Sequence, residues 1–509
     1  MILTEEPFSS PRAFSQPRLC PQTVALAVAL LLSGCSSLPH RTPAPETAAS
    51  AAARTATDVG TPAAATLPVL SRWWQQFDDP QLGALVEEAL SGNLELASAR
   101  ARVMQARALR EQAAAALAPQ LGLSASLTRQ RSSGSTTTVL APQLSASWEL
   151  DASGRLAATE RGAAADLAAT EATLLASAHS LAGEVALAQV ALRGNQARRA
   201  LVQASLEAQQ QTLQLTQWRA QAGLASTLDV EQARASLEQT RAQRPAWDTA
   251  IAQGEHALAV LLGLEPKALQ ARLGRDGRLP APGEALATLD RQLEAGVPAE
   301  LLRRRPDLVA AEATISAELA RLDARQAARR PDFALSGTLG WRALTLAALG
   351  GSGALAATLA ASVDWPVHDG GLLAAQVEAQ QAVLEQARLS WRAATLTAAQ
   401  DAEDSLAAAA GSRAQARALG EAVTAATQAL ALARQRYQAG LIDFTTLLDA
   451  QRTLLTLQTS QVGAEVDLRQ NLIRLFKALG GGLSAADLAA LPVRAAATAD
   501  LPACCHGLR

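Results

Sequence analysis

Trp148-Glu149-Leu150-Asp151-Ala152-Ser153-Gly154 and Trp365-Pro366-Val367-His368-Asp369-Gly370-Gly371 occupy matching places in the chain, at an offset of 365 − 148 = 217. Each stretch marks a change of period. Before it, apolar residues alternate: Leu144, Ala146, Trp148 and Leu150 in one copy, and Leu359, Ala361, Val363 and Trp365 in the other. Beyond Gly154, Leu156, Glu160, Ala163, Leu167, Thr170, Leu174, Ala178, Leu181, Val185, Ala188 and Leu192 step by three and four. A period of two passing into one near 3.6 is a strand running into a helix. The spacing predicts a helix to about Trp218, about 65 residues or ~97 Å at 1.5 Å per residue. A second runs from Leu372 to about Tyr437. Each stops at a glycine followed by a leucine, Gly223-Leu224 and Gly440-Leu441, as helices do when the residue after the last turn is left-handed.

Outward from these junctions the duplication continues. Gln221-Ala222-Gly223-Leu224 falls on Gln438-Ala439-Gly440-Leu441 at the same offset, while Asn93-Leu94-Glu95-Leu96 falls on Arg305-Pro306-Asp307-Leu308, and Pro119 on Pro331, at 212. The loop length therefore differs only between Pro119 and Trp148. Each copy opens with a helix, from about Gln81 to Leu117 and from about Asp307 to Ala328. A strand follows: Leu121, Leu123, Ala125 and Leu127 alternate with small polar residues, as do Phe333, Leu335, Gly337, Leu339 and Trp341. Polar or Gly-rich segments, 132–138 and 350–353, separate the strands, and helices return to Leu262 and Leu479. Residues 70–262 and 299–483 form two repeats, joined by a 263–298 connector. The Ala/Pro-rich tail 484–509 is expected to be disordered.

Of the 509 residues, 49 % are hydrophobic but only 3 % aromatic, so bulky core rings are scarce and small residues must pack long helices. A net charge of −2 gives nothing to hold nucleic acid, and the four cysteines and five histidines are too scattered for a metal fold or a disulfide scaffold. Cys504-Cys505-His506 makes a poor metal site, and no phosphate loop, Gly-x-Ser-x-Gly elbow or paired-histidine helix occurs, so no enzyme and no metal are expected. Arg12 and Arg18 precede an apolar run, 24–32, too short to span a bilayer. Residues 1–34 read as a signal peptide, and 35–69, rich in Pro, Ala and Thr, as a tether.

Four strands leave two open edges, and every unpaired backbone group in hydrocarbon costs several kcal/mol. One chain cannot span a membrane alone. Two chains would supply eight strands and three would supply twelve, and the sequence does not choose between them. Trp148, Trp341 and Trp365 fit an interfacial girdle, whereas the long helices carry charges throughout and must extend into water. An ordinary soluble sheet with one face on the helices is the competing assignment.

Leu32-Ser33-Gly34-Cys35 resembles the lipobox of bacterial lipoproteins. Trp73-Trp74-Gln75-Gln76-Phe77-Asp78-Asp79-Pro80-Gln81-Leu82, Ala97-Ser98-Ala99-Arg100-Ala101-Arg102-Val103-Met104-Gln105-Ala106-Arg107, Leu301-Leu302-Arg303-Arg304-Arg305-Pro306-Asp307-Leu308-Val309-Ala310-Ala311-Glu312 and Tyr437-Gln438-Ala439-Gly440-Leu441 resemble signature segments of the outer membrane factor (TolC-like) family, in its NodT-type lipoprotein branch. The resemblance implies a mainly α protein with membrane β-structure: a trimeric twelve-stranded β-barrel continued by a twelve-helix α-barrel. It implies a diacylglycerol and an N-acyl chain on Cys35, with no other cofactor, and residence in the outer membrane with extension into the periplasm. The implied partners are two further copies of the chain, membrane lipids, a periplasmic adaptor and an inner-membrane resistance-nodulation-division pump. It places the connector and the C-terminal segment in an equatorial region around the tunnel.

Asp229 and Asp449 would form rings of negative charge around a threefold axis, of the kind that sets cation preference. For Asp229, a capping box with Ser226 competes. For Asp449, the resemblance implies the periplasmic constriction, and a solvated helix face competes. Tyr437, the one tyrosine, matches a residue that helps hold the tunnel shut, and packing competes. Ile442 stands where some members carry a gating arginine. Leu224 and Leu441, beside Gly223 and Gly440, are apolar tips suited to adaptor contact, or to contact with their own helix ends. The activity expected is a passive exit duct for small molecules driven by an inner-membrane pump. The alternatives are a type I polypeptide secretion duct and a lipid-tethered periplasmic coiled-coil scaffold without a channel.

Overall fold

The computed structural model describes residues 71–77, 79–270, 272–273, 279, 304–345, 351 and 354–490. The expected signal peptide, Cys35, the tether, most of the connector and the tail beyond 490 lie outside them. In order, the elements are α1 (Pro80–Gly92), α2 (Leu94–Ala115), β1 (Gln120–Ser132), β2 (Ser135–Leu150), α3 (Arg155–Gln221), α4 (Thr227–Arg241), α5 (Arg244–Leu261), α6 (Pro306–Ala327), β3 (Asp332–Trp341), β4 (Leu355–Asp364), α7 (Leu372–Gln438), α8 (Phe444–Ala478) and the short α9 (Ala485–Ala490).

Both long helices have 67 residues, about 100 Å each. Neither contains a proline, and each begins after a left-handed glycine, Gly154 at φ 77° and Gly371 at φ 91°. Aspartates close the exposed N–H groups at both starts. Asp151 accepts from the Leu156 and Ala157 amides at 2.9 and 2.8 Å, and Asp369 from Gly371 and Leu373 at 2.9 and 2.8 Å. One stretch of α3 is long and apolar enough to cross a membrane, but half of that window is buried against neighbouring helices.

Three features depart from the periodicity reading. The opening helix is broken: Asn93 is extended at φ −66°, ψ 131°, and its side chain caps α2 through the Leu96 amide at 2.9 Å while donating to the Leu261 carbonyl at 2.9 Å. Its repeat equivalent, Arg305, likewise stands at the N-cap of α6. The first return helix is broken between α4 and α5, because Pro245 has no N–H to give the preceding turn and its ring clashes with the carbonyl four residues back. The tail is ordered at its start, where Ser484 and Asp487 cap α9 reciprocally and Asp487 pairs with Arg72 at 3.2 Å.

The strands form one antiparallel sheet in the order β1-β2-β3-β4. The polar segment expected across 132–138 shrinks to a two-residue turn, with Ser133 at φ 47° and Gly134 at φ 85°, and the strand resumes at Ser135. Registers are continuous across the repeat boundary: Leu123 faces Leu144, Leu144 faces Leu339 and Leu339 faces Ala357. Directly opposed residues share a face, so Leu121, Leu127, Trp148, Phe333, Leu359 and Val363 all fall on one side. Gly122, Ser124, Ser126, Ser145, Ser336 and Thr358 fall on the other. The apolar side is bare, with Leu123 82 % and Leu359 79 % exposed.

Four of the large rings meet in one core. Trp73 stacks on Phe476 with centroids 5.5 Å apart, Trp74 and Phe77 meet Trp73 edge-on, and Leu82, Val185, Leu258 and Leu479 pack around them. This core joins the N-terminal entry, α1, α3, α5 and α8. Arg305, 13 % exposed in its side chain, ties the start of α6 to the two neighbouring helices through Asp401 and the Ala398 and Ala478 carbonyls. Beside the core, His179 lies with Nε2 2.8 Å from the Leu483 carbonyl, over Gly482, where a Cβ would come within 2.5 Å of the ring.

Burial pushes the His179 pKa below its ordinary value of 6.5, against the opposing Leu483 hydrogen bond and Asp307 charge. The folded chain then binds fewer protons than the unfolded one, so this contribution is fully present above about pH 6.5 and lost as the pH falls. Thermal melting of the full-length protein should drop between pH 7.5 and 5.5, and the His179→Gln variant should show a shallower drop. Identical pH slopes in the two proteins would remove His179 from the account.

Candidate functional site: the helical tips and the bare sheet

Both long helices end in the same geometry. Gly223 at φ 73° and Gly440 at φ 74° are left-handed, and the Leu224 and Leu441 amides reach back to the Arg219 and Arg436 carbonyls at 2.7 and 2.9 Å. The glycines thereby turn the chain within two residues and place Leu224 and Leu441 outward, 70 % and 73 % exposed. Their own helix ends do not cover them. Trp218 and Leu228, close to Leu224 in sequence, are exposed as well.

The two aspartates differ. Asp229 completes the capping box of α4, accepting from the Ser226 amide at 2.9 Å while its own amide donates to the Ser226 hydroxyl at 3.1 Å. Its carboxylate is therefore held on its own helix end. Asp443 stands at the N-cap of α8 without a side-chain cap bond, so it leaves Asp449 on the next turn free of any capping role. Asp449 is exposed and makes no hydrogen bond or ion pair among the described residues.

Tyr437 is buried, 5 % exposed, in a small cluster with Phe444, Leu447, Leu448 and Ala233. Its ring centroid is 5.6 Å from that of Phe444, and its hydroxyl is buried without a partner in the protomer. Packing and an available hydroxyl therefore coexist in this side chain. The sequence reading missed the residue that joins the tips. Arg219, near the end of α3, donates Nη1 to the Tyr437 and Gln438 carbonyls at 2.9 and 3.2 Å and lays its guanidinium 4.8 Å from the Tyr437 ring centroid. A cation at the negative end of α7 that also satisfies its last carbonyls is doubly favourable. Arg219 and Arg436 each stand four residues before their glycine, but only the three-dimensional neighbourhood shows that Arg219 reaches across the repeat.

On the sheet, the tryptophans separate into two levels. Trp148, whose indole N–H donates to the Leu117 carbonyl at 3.0 Å, and Trp365, just past β4, lie at the helix-proximal end, while Trp341 ends β3 at the other. The aliphatic side of β2 runs from Leu140 to Leu150, ten steps, about 34 Å along the strand and about 26 Å of height at a tilt near 40°. No group of three or more metal-ligating side chains occurs among the described residues.

Comparison with known proteins agrees with this geometry. The family model described as "Outer membrane efflux protein" matches residues 85–264 and 297–481, one stretch per repeat. The toluene efflux pump outer membrane protein TtgF of Pseudomonas putida is 31 % identical over 479 residues, covering 90 % of this chain and 96 % of TtgF. Among solved structures, the outer-membrane channel OprN superposes with a TM-score of 0.75 at 34 % identity over 81 % of this chain and 92 % of that one. VceC of Vibrio cholerae superposes with a TM-score of 0.74 at 28 % identity over 81 % and 99 %. The chain belongs to the outer membrane efflux protein family and is the outer membrane channel component of an efflux system.

Removing the Arg219 tie should loosen the tip without unfolding the bundle. In Arg219→Ala, amides 439–443 should exchange with solvent about tenfold faster, the loss of roughly one charge-assisted hydrogen bond, while the middle of α7 keeps its protection. Unchanged exchange at those amides would show that the tie holds nothing.

Proposed function

We propose that three copies of this chain pool their strands into a twelve-stranded barrel and their long helices into a periplasmic tunnel, forming a passive exit duct for small molecules. The observation that carries this reading is the shared register: every leucine, phenylalanine and tryptophan of the four strands lies on one bare face, and mostly small or polar residues lie on the other. The bare face suits lipid. The Gly, Ser, Thr and Ala face suits a water-filled lumen through which solutes pass without binding.

A diacylglycerol and an N-acyl chain on Cys35 would supply the second membrane signal beside the barrel. Leu224 and Leu441, with Gly223 and Gly440 setting their direction, would meet a periplasmic adaptor that connects the duct to an inner-membrane resistance-nodulation-division pump, which supplies the energy. Asp449, unpaired in the protomer, would line the constriction as a ring of three, and the free Tyr437 hydroxyl would take a partner from an adjacent copy when the tip is shut. Asp229 serves its helix first. No bond is made or broken in this activity.

Planar-bilayer recording on the purified full-length protein tests the proposal. Discrete conductance steps with cation preference are expected, and Asp449→Asn should reduce that preference while preserving insertion. A protein that never conducts would return the assignment to a tethered scaffold.

A further inference from the structure

The four strands carry five charged residues, and their signs are segregated. Glu149, Asp332 and Asp364 lie at the helix-proximal end, whereas Arg129 and Arg131 lie at the far end of β1, beside the turn into β2. Arg342, one residue past β3, adds a third cation at that end, and no acidic residue occurs there among the described residues.

The register fixes which face the two β1 arginines occupy. They continue the series Leu121, Leu123, Ala125 and Leu127, so they stand on the apolar face rather than the small polar one. Opposite them, the same change happens at the same step: Leu127 pairs with Leu140, Arg129 with Thr138 and Arg131 with Thr136. The outward face therefore passes in one residue pair from aliphatic to cationic and hydroxylated. Both arginines are exposed, and neither makes a hydrogen bond or ion pair among the described residues.

An unpaired guanidinium at the rim of an apolar band faces lipid headgroups, and its planar fork matches phosphate oxygens. The outer leaflet of the outer membrane is built from a phosphorylated glycolipid. We propose that Arg129 and Arg131, with the hydroxyls of Thr136 and Thr138, form a binding surface for the phosphates of that glycolipid. Repeated on each subunit, the surface fixes the depth of the barrel and anchors a ring of lipid around it. The inference rests on the duct reading, which puts this face against lipid.

The test uses the full-length lipidated assembly in detergent, with bisphosphorylated lipid A as the probe, comparing the native chain with the double variant Arg129→Gln/Arg131→Gln by native mass spectrometry and equilibrium titration. The variant should bind about tenfold more weakly, and dephosphorylated lipid A should bind the native chain as weakly as the phosphorylated lipid binds the variant. Equal binding of lipid A to both proteins overturns the proposal, as does inorganic phosphate binding the native chain as tightly as the lipid does. Conductance on the same preparations keeps the two inferences apart: channels in both proteins with equal lipid binding reject only this surface, whereas absence of channels in the native chain rejects the duct itself.

Discussion

Backbone amides and carbonyls must be paired wherever water is absent, and the two outer strands of this sheet present a full row of each with no partner in the chain. Most other features follow from that debt. A soluble sheet would blunt its edges or cover its apolar face with helices, but here the edge strands carry the barest leucines, Leu123 on β1 and Leu359 on β4. Strands of other copies would satisfy the edges and leave that face to lipid. Closure by copies would in turn set the helices that continue the strands around a ring.

The helices are suited to that position. Alanine and glycine let neighbours approach closely, as at Gly162 of α3, where an added Cβ would already touch Ala320 of α6 at 3.7 Å. Ring-on-ring contacts among the described residues fall in two places: the Trp73–Phe476 core beside His179 and the Tyr437–Phe444 cluster at the tip. A stiff middle is thus framed by one heavily packed collar and one small, locally tied end. The collar also gathers the chain's loose segments, since Arg72 and Asp487 meet there. The tip is held by the smaller of the two clusters.

Much of this was legible in one dimension, because the duplication repeated each clue. Alternation in both copies identified the strands, and the Gly223-Leu224 and Gly440-Leu441 pairs marked helix ends that the structure places within a few residues of the expected positions. What escaped depends on contacts distant in sequence. Asn93, at the break in the first helix, meets the Leu261 carbonyl, and the segment Ser484 to Ala490 meets Arg72 through Asp487. Arg219 finds the end of α7 from the other repeat. Pro245 is the exception: its effect is local, and the sequence itself carries the break between α4 and α5. The sequence offers Asp229 both a charge ring and a capping box with Ser226, and the structure holds its carboxylate in the box, a bond that Asp449 does not make.

Disulfide trapping between edge strands tests the closure most directly. Cysteines placed pairwise at Gly122, Ser124 or Ser126 on β1 and at Ala356, Thr358 or Ala360 on β4, in chains whose Cys504 and Cys505 are replaced by serine, would be oxidised in intact outer membranes. The account predicts a ladder ending at three covalently linked chains for the pairs in register. Chains that stay single under every pairing would mean that the edges are not joined copy to copy.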